Sequence, residues 1–214
     1  TVMTTHLSEL VKKHSEELVT RQDVQKMMDT LKKDYPVVVD DALKVASIGL
    51  IQRVLKSLLH EKIPIRDMLT IMETIADIAE ITQVVDILVE QVRARLARTI
   101  TSLYVDQNKL IRLITLDQAT EQKLLGKLQD QNGLRSLNLN VTEINALVQE
   151  SSEAVKQVLG RGIAPAILIV DPVLRKALSE IFERFALEVV VLSHSEIDAS
   201  AKFEVLGSID IPQI

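Results

Sequence analysis

Apolar residues recur at three- and four-residue spacing through the first hundred positions of this chain, which lines one face of an α-helix. Leu7, Leu10, Val11, His14 and Leu18 form the first such row and predict an opening helix. Thr20 with Asp23 approximates a capping box, so a second helix is expected to start there and to carry Val24, Met27, Met28 and Leu31 inward. Tyr35-Pro36 closes it, because the residue before proline is pushed out of helical geometry. VVVDDALKVASIGL is ambiguous: a triple valine suits a strand, while Leu43, Val45 and Ile48 continue the helical spacing, and helix is favoured. Ile51, Val54, Leu55, Leu58 and Leu59 predict a helix ending near Lys62, ahead of Pro64. After IPIRD, a further helix buries Met68, Leu69, Ile71, Met72, Ile75 and Ile78. The next, over roughly 82–103, turns Val85, Leu88, Val92, Leu96 and Leu103 inward, with Arg93, Arg95 and Arg98 expected on and around its solvated side.

From Lys109 the pattern changes. LIRLITL is a short branched apolar run suited to a buried strand, and Asp117 follows as the expected N-cap of a helix over ATEQKLLGKLQDQ. Asn132-Gly133 marks a turn. Val141 through Leu159 reads as a long helix stopped by Gly160 and Gly162. AILIV is a strand, Asp171-Pro172 opens the helix VLRKALSEIFERF, and VVVL and FEVLGSI finish as strands. The fold expected is mainly α with a C-terminal α/β subdomain, a helical part followed by a small mixed sheet flanked by helices. The change near residue 105 is the expected boundary.

Composition narrows what such a fold does. Among 214 residues, 47% are hydrophobic but only 2% aromatic, so the core is aliphatic and stacking platforms for bases or sugars are nearly absent. A formal charge of -5 also argues against nucleic acid, whose backbone is bound by clustered Lys and Arg. Without cysteine there is no disulfide, thiolate catalysis or Cys-based zinc site. No run of 18 apolar residues reads as a membrane span, and the start at Thr1 suggests a piece of a longer or processed chain.

Candidate chemistry is thin. His6 and His14 are eight apart and His60 and His194 are isolated, without metal-ligand spacing. Ser193-His194-Ser195-Glu196 has the residue types of a hydrolase, but adjacent positions do not converge as a nucleophile, base and orienting acid must, and a turn-capping serine explains them. Gly160-Arg161-Gly162 follows a helix and precedes a strand, the reverse of a phosphate loop, and reads as a helix stop. Asp171 sits where α/β folds place ligands, yet capping beside Pro172 accounts for it. Asp67 is expected in the first turn of its helix, where a carboxylate meets unpaired N–H groups and the positive end of the dipole. Arg66 is expected along the surface or paired with a neighbouring element. No cofactor is implied, and the readings left open are a surface-presenting protein, a small-molecule α/β enzyme with a site near Asp171, and a helical adaptor.

Four blocks resemble one family in order: THLSELVKKHSEELVTRQDVQ at 5–25, IPIRDMLTIMETIAD at 63–77, VRARLARTI at 92–100, and PAILIVDPVLRKALSEIFERF followed by VVVLSHSEI. They are similar to the FHIPEP family of type III secretion export-gate proteins, and FEVLGSIDI is more like the flagellar branch than the injectisome branch. The resemblance implies no enzyme but a cytoplasmic part of four subdomains behind an N-terminal inner-membrane region. This chain would hold the end of the first subdomain (1–19), the helical third (20–104) and the α/β fourth (105–214). It further implies a homo-oligomeric ring, a nonamer, that receives flagellar export chaperone-substrate complexes, works with other export-apparatus proteins and takes part in switching between substrate classes. Carried over residue by residue, Thr5 borders the chaperone cleft, and Arg66, Asp67 and Arg93 match family blocks as protein-binding candidates.

Overall fold

The computed structural model describes Val19–Ile214, so the opening helix expected at residues 7–18 lies outside the described residues. The chain forms two compact units divided between Ile100 and Thr101.

The first unit is helical. In α1 (Arg21–Asp34) the Thr20 hydroxyl accepts the Asp23 N–H at 3.1 Å, and Asp23 accepts the Thr20 N–H at 2.9 Å. Two otherwise unpaired donors are thereby satisfied. α2 (Pro36–Val45) resolves the triple valine in favour of helix: Pro36 has its φ fixed for a helical first turn, and only Val39 of the three is fully buried. Ser47 then caps α3 (Ile48–His60), accepting the Leu50 N–H at 3.1 Å. Leu50, Ile51, Val54, Leu55 and Leu58 form its buried stripe, each worth about 1.5–3 kcal/mol of transfer free energy before chain entropy is counted. α4 (Met68–Ile78) and α5 (Val85–Arg95) complete the layer with Met68, Ile71, Met72, Ile75, Leu88, Val89 and Val92.

Two expectations are corrected here. The helix expected over 82–103 is broken: α5 ends at Arg95 and α6 (Ala97–Ser102) follows, with Leu96 between them at φ -89° and ψ 16° and its N–H shared by the carbonyls of Val92 and Arg93. Arg93 does not join a solvated face. It continues the inward row of Val89, Leu96 and Ile100, and only 1% of its surface is exposed.

The second unit is built on a sheet of order β5-β4-β1-β6, from β1 (Leu110–Leu116), β4 (Ile167–Val170), β5 (Val190–Ser193) and β6 (Lys202–Ile209). Every pairing in it is parallel. All four residues of β4 are buried, as a central parallel strand covered on both faces requires. The connections run through α7 (Gln118–Gly126), α8 (Val141–Gly160) and α9 (Pro172–Arg184). Ile114, Leu116, Leu168, Val170 and Val191 share a core with Leu147, Val155, Leu174, Leu178 and Phe182.

The helix expected through Gln131 stops at Gly126. LQDQ and LRSL instead form an antiparallel hairpin, β2 (Leu128–Gln131) and β3 (Leu134–Leu137). Asn132 and Gly133 both have positive φ, 56° and 88°, which is the backbone of a two-residue hairpin turn and not of a helix exit. Asp130 accepts the Gly133 N–H at 2.7 Å and locks it. Parallel sheet and antiparallel hairpin together give the mixed strand content expected.

Candidate functional site

The connector 61–67 between α3 and α4 carries the residues singled out by sequence. It leaves α3 through Lys62 at φ 60°, and the Ile63 N–H donates to the Leu58 carbonyl at 2.9 Å. Ile63 and Ile65 alternate inward at 1% and 0% exposure, so the segment is pinned by its apolar residues. Arg66 and Asp67 stand outside. Asp67 is the N-cap of α4 and not a first-turn residue: one carboxylate oxygen accepts the Thr70 N–H at 3.1 Å and the other the Thr70 hydroxyl at 2.7 Å. That leaves the Arg66 guanidinium exposed on rigid backbone, a shape suited to contact and not to proton transfer.

Arg93 reaches the same connector from inside. Its Nη1 lies 3.4 Å from Glu61 Oε2 at the end of α3. A side chain so buried supports the connector from within. Arg95 pairs with Asp77 at 2.8 Å near the surface, and Arg98 is exposed, so the three arginines do not form one patch. Thr5 lies outside the described residues.

The remaining candidates are used structurally. Asp171 accepts the Val173 N–H at 2.9 Å, and its own N–H donates to Glu121 Oε2 at 3.2 Å. Gly162, at φ 77°, turns the chain out of α8. Glu196 is 1% exposed, 3.7 Å from Arg175 Nε, and accepts the Ser193 N–H at 3.2 Å. Thr101 Oγ1 donates to the Glu196 carbonyl at 2.9 Å and accepts the Asp198 N–H at 2.8 Å. Ser193-His194-Ser195-Glu196 is therefore a locked turn, with His194 exposed and the serine hydroxyls 2.8 Å apart. Among the described residues, no group of three or more His, Cys, Asp or Glu is arranged to hold a metal ion, and no helix is long and apolar enough to cross a membrane.

Sequence reasoning missed Arg175 and Glu61. Arg175 lies three and seven positions before Leu178 and Phe182, squarely on the inward row of α9. Position on the helix was the signal, and residue type obscured it.

Comparison with known proteins agrees with this layout. Flagellar biosynthesis protein FlhA of Helicobacter pylori is 50% identical over 212 residues, which cover 99% of this chain and 29% of that protein. The C-terminal domain of InvA superposes with a TM-score of 0.82 at 25% identity, over 97% of this chain and 62% of InvA's. The nonameric SctV-C of EPEC shares the fold with a TM-score of 0.74 at 24% identity, over 95% of this chain and 61% of that one. Residues 1–202 match the FHIPEP family, and the chain belongs to it.

Proposed function

We propose that this chain is a segment of the cytoplasmic part of a flagellar type III export gate, working as a docking platform in a ring of identical subunits. The 50% identity to a flagellar biosynthesis protein along almost the whole chain carries the reading. The fold shared with a nonameric relative supports the ring. In this reading residues 1–19 close the first subdomain, 20–104 form the third and 105–214 the fourth, at the cytoplasmic face of the inner membrane. The partners are export chaperone-substrate complexes and other parts of the export apparatus, and the ring takes part in switching between substrate classes.

The chemistry is that of a contact surface. Arg66 is presented on the pinned connector, Asp67 fixes the helix behind it, and Arg93 holds the connector from beneath. Thr5 belongs to the border of the chaperone cleft. The carboxylate of Asp171, the best candidate for an enzyme site, is engaged as a helix cap.

The test is binding of export chaperone-substrate complexes to the complete cytoplasmic part of the parent protein, with and without Arg66→Glu. The reading expects weakened binding by a variant of unchanged stability. Equal binding would remove Arg66 from the surface.

A further inference from the structure

Among the described residues β6 is an edge strand with an exposed apolar side. The Lys202 N–H donates to the Lys109 carbonyl at 3.0 Å, so Lys202 and Glu204 turn their backbone groups toward β1. Strand alternation then points the N–H and C=O groups of Phe203 and Val205 outward, beyond the last strand of the sheet. Phe203 is 66% exposed and Val205 51%. Such an edge is a template for another strand, and natural sheets usually blunt theirs. Here the charged Lys202 and Glu204 guard the edge, and a bulge follows Val205: register shifts from Leu113↔Val205 to Ile114↔Gly207, leaving Leu206 as an extra residue. The usable edge is therefore the short straight segment Lys202–Val205.

That segment is self-complementary. We infer that it pairs with the same segment of a second copy, antiparallel, across a two-fold axis at Phe203. In this register the two Phe203 residues exchange both N–H···O bonds and their rings meet. Lys202 of each copy lies opposite Glu204 of the other, so both charges are met twice. Glu204, at 3.2 Å from Arg112 within its own chain, joins a line of alternating charge. The neighbouring registers lose this: centring on Glu204 sets the two carboxylates against each other, and centring on Val205 sets Glu204 against Leu206 at the bulge. An isologous contact closes after two copies, so it cannot join neighbours within a ring and pairs copies of different rings or free chains.

Charge reversal tests the register. The variants Lys202→Glu and Glu204→Lys each set like charges opposite in a self-pair, and each is expected to self-associate at least about tenfold more weakly than the natural chain in sedimentation. Mixed together they restore both ion pairs and associate again. The chain has no cysteine, so Phe203→Cys adds a single thiol. Across the two-fold axis its Cα atoms come to about 5.5 Å, within disulfide range, and oxidation should yield a covalent dimer. Val205→Cys, two positions out of register, should not cross-link. A mixture no stronger than its parts, or cross-linking that is absent at 203 or equal at 205, overturns the inference. So does an edge that binds another protein's extended segment but not itself. If either charge variant fails to fold, the two cysteine variants decide.

Discussion

Arg93 and Glu61 meet inside the helical unit, 3.4 Å apart, with 2% and 11% of their side-chain surfaces exposed. Burial of the pair is costly, but removing one partner costs more, since it strands the other charge away from water. Arg93→Met should lower unfolding free energy by about 3–5 kcal/mol, and adding Glu61→Leu should recover most of the loss. Chemical denaturation of the two variants reads the difference. A loss below about 1 kcal/mol for the single variant would mean the pair is solvated.

Asp67 should matter through its cap. Asp67→Ala removes the acceptor of the Thr70 N–H and should cost about 1 kcal/mol, while Asp67→Asn keeps an acceptor and most of the stability. Arg66→Ala should stay within about 0.5 kcal/mol of the natural chain. Thermal unfolding of the three variants checks this order.

Acid should weaken the second unit. The N–H groups of Leu110 and Asn108, with Arg112, hold the Asp106 carboxyl below its ordinary value. The Lys127 ammonium at 2.7 Å, with the Asn140 N–H, does the same for Glu143. Both pKa values are lower folded than unfolded, so their stabilisation is complete above the unfolded values, about 3.9 for Asp and 4.3 for Glu. It is lost as pH falls through the lower folded values. Asp106→Asn and Glu143→Gln should flatten the stability curve below about pH 4 and leave its shape above about pH 6 unchanged. Denaturation midpoints across that range give the comparison.

Gly162 carries a backbone strain prediction. Its φ is 77°, and among the described residues no atom beyond its chain neighbours lies within 4 Å of where a Cβ would stand, so a side chain there has room but the wrong dihedral. Gly162→Ala should cost about 1–2 kcal/mol, and Gly160→Ala, which has space and lies within α8, should not. Unfolding curves of the two variants separate backbone strain from crowding.

Much of this architecture is written in periodicity. The Thr20 capping box, the Pro36 start of α2 and the Asp171-Pro172 opening of α9 are local, so neighbouring residues suffice to read them. The hairpin at 128–137 was hidden because polar LQDQ carries no strand alternation, although Asn132-Gly133 held the signal. Buried Arg93 and Arg175 escaped for another reason. Their partners, Glu61 and Glu196, are 32 and 21 positions away, and only tertiary packing brings them together. For the candidate site, Asp67 was legible as a helix-end carboxylate, whereas the division between exposed Arg66 and interior Arg93 was not.

In the proposed export-gate role the protein acts by presenting surfaces. Calorimetric titration of the complete cytoplasmic part of the parent protein with flagellar chaperone-substrate complexes tests it most directly. Saturable binding of intact complexes is the expected result, and failure to bind any such complex would rule that role out.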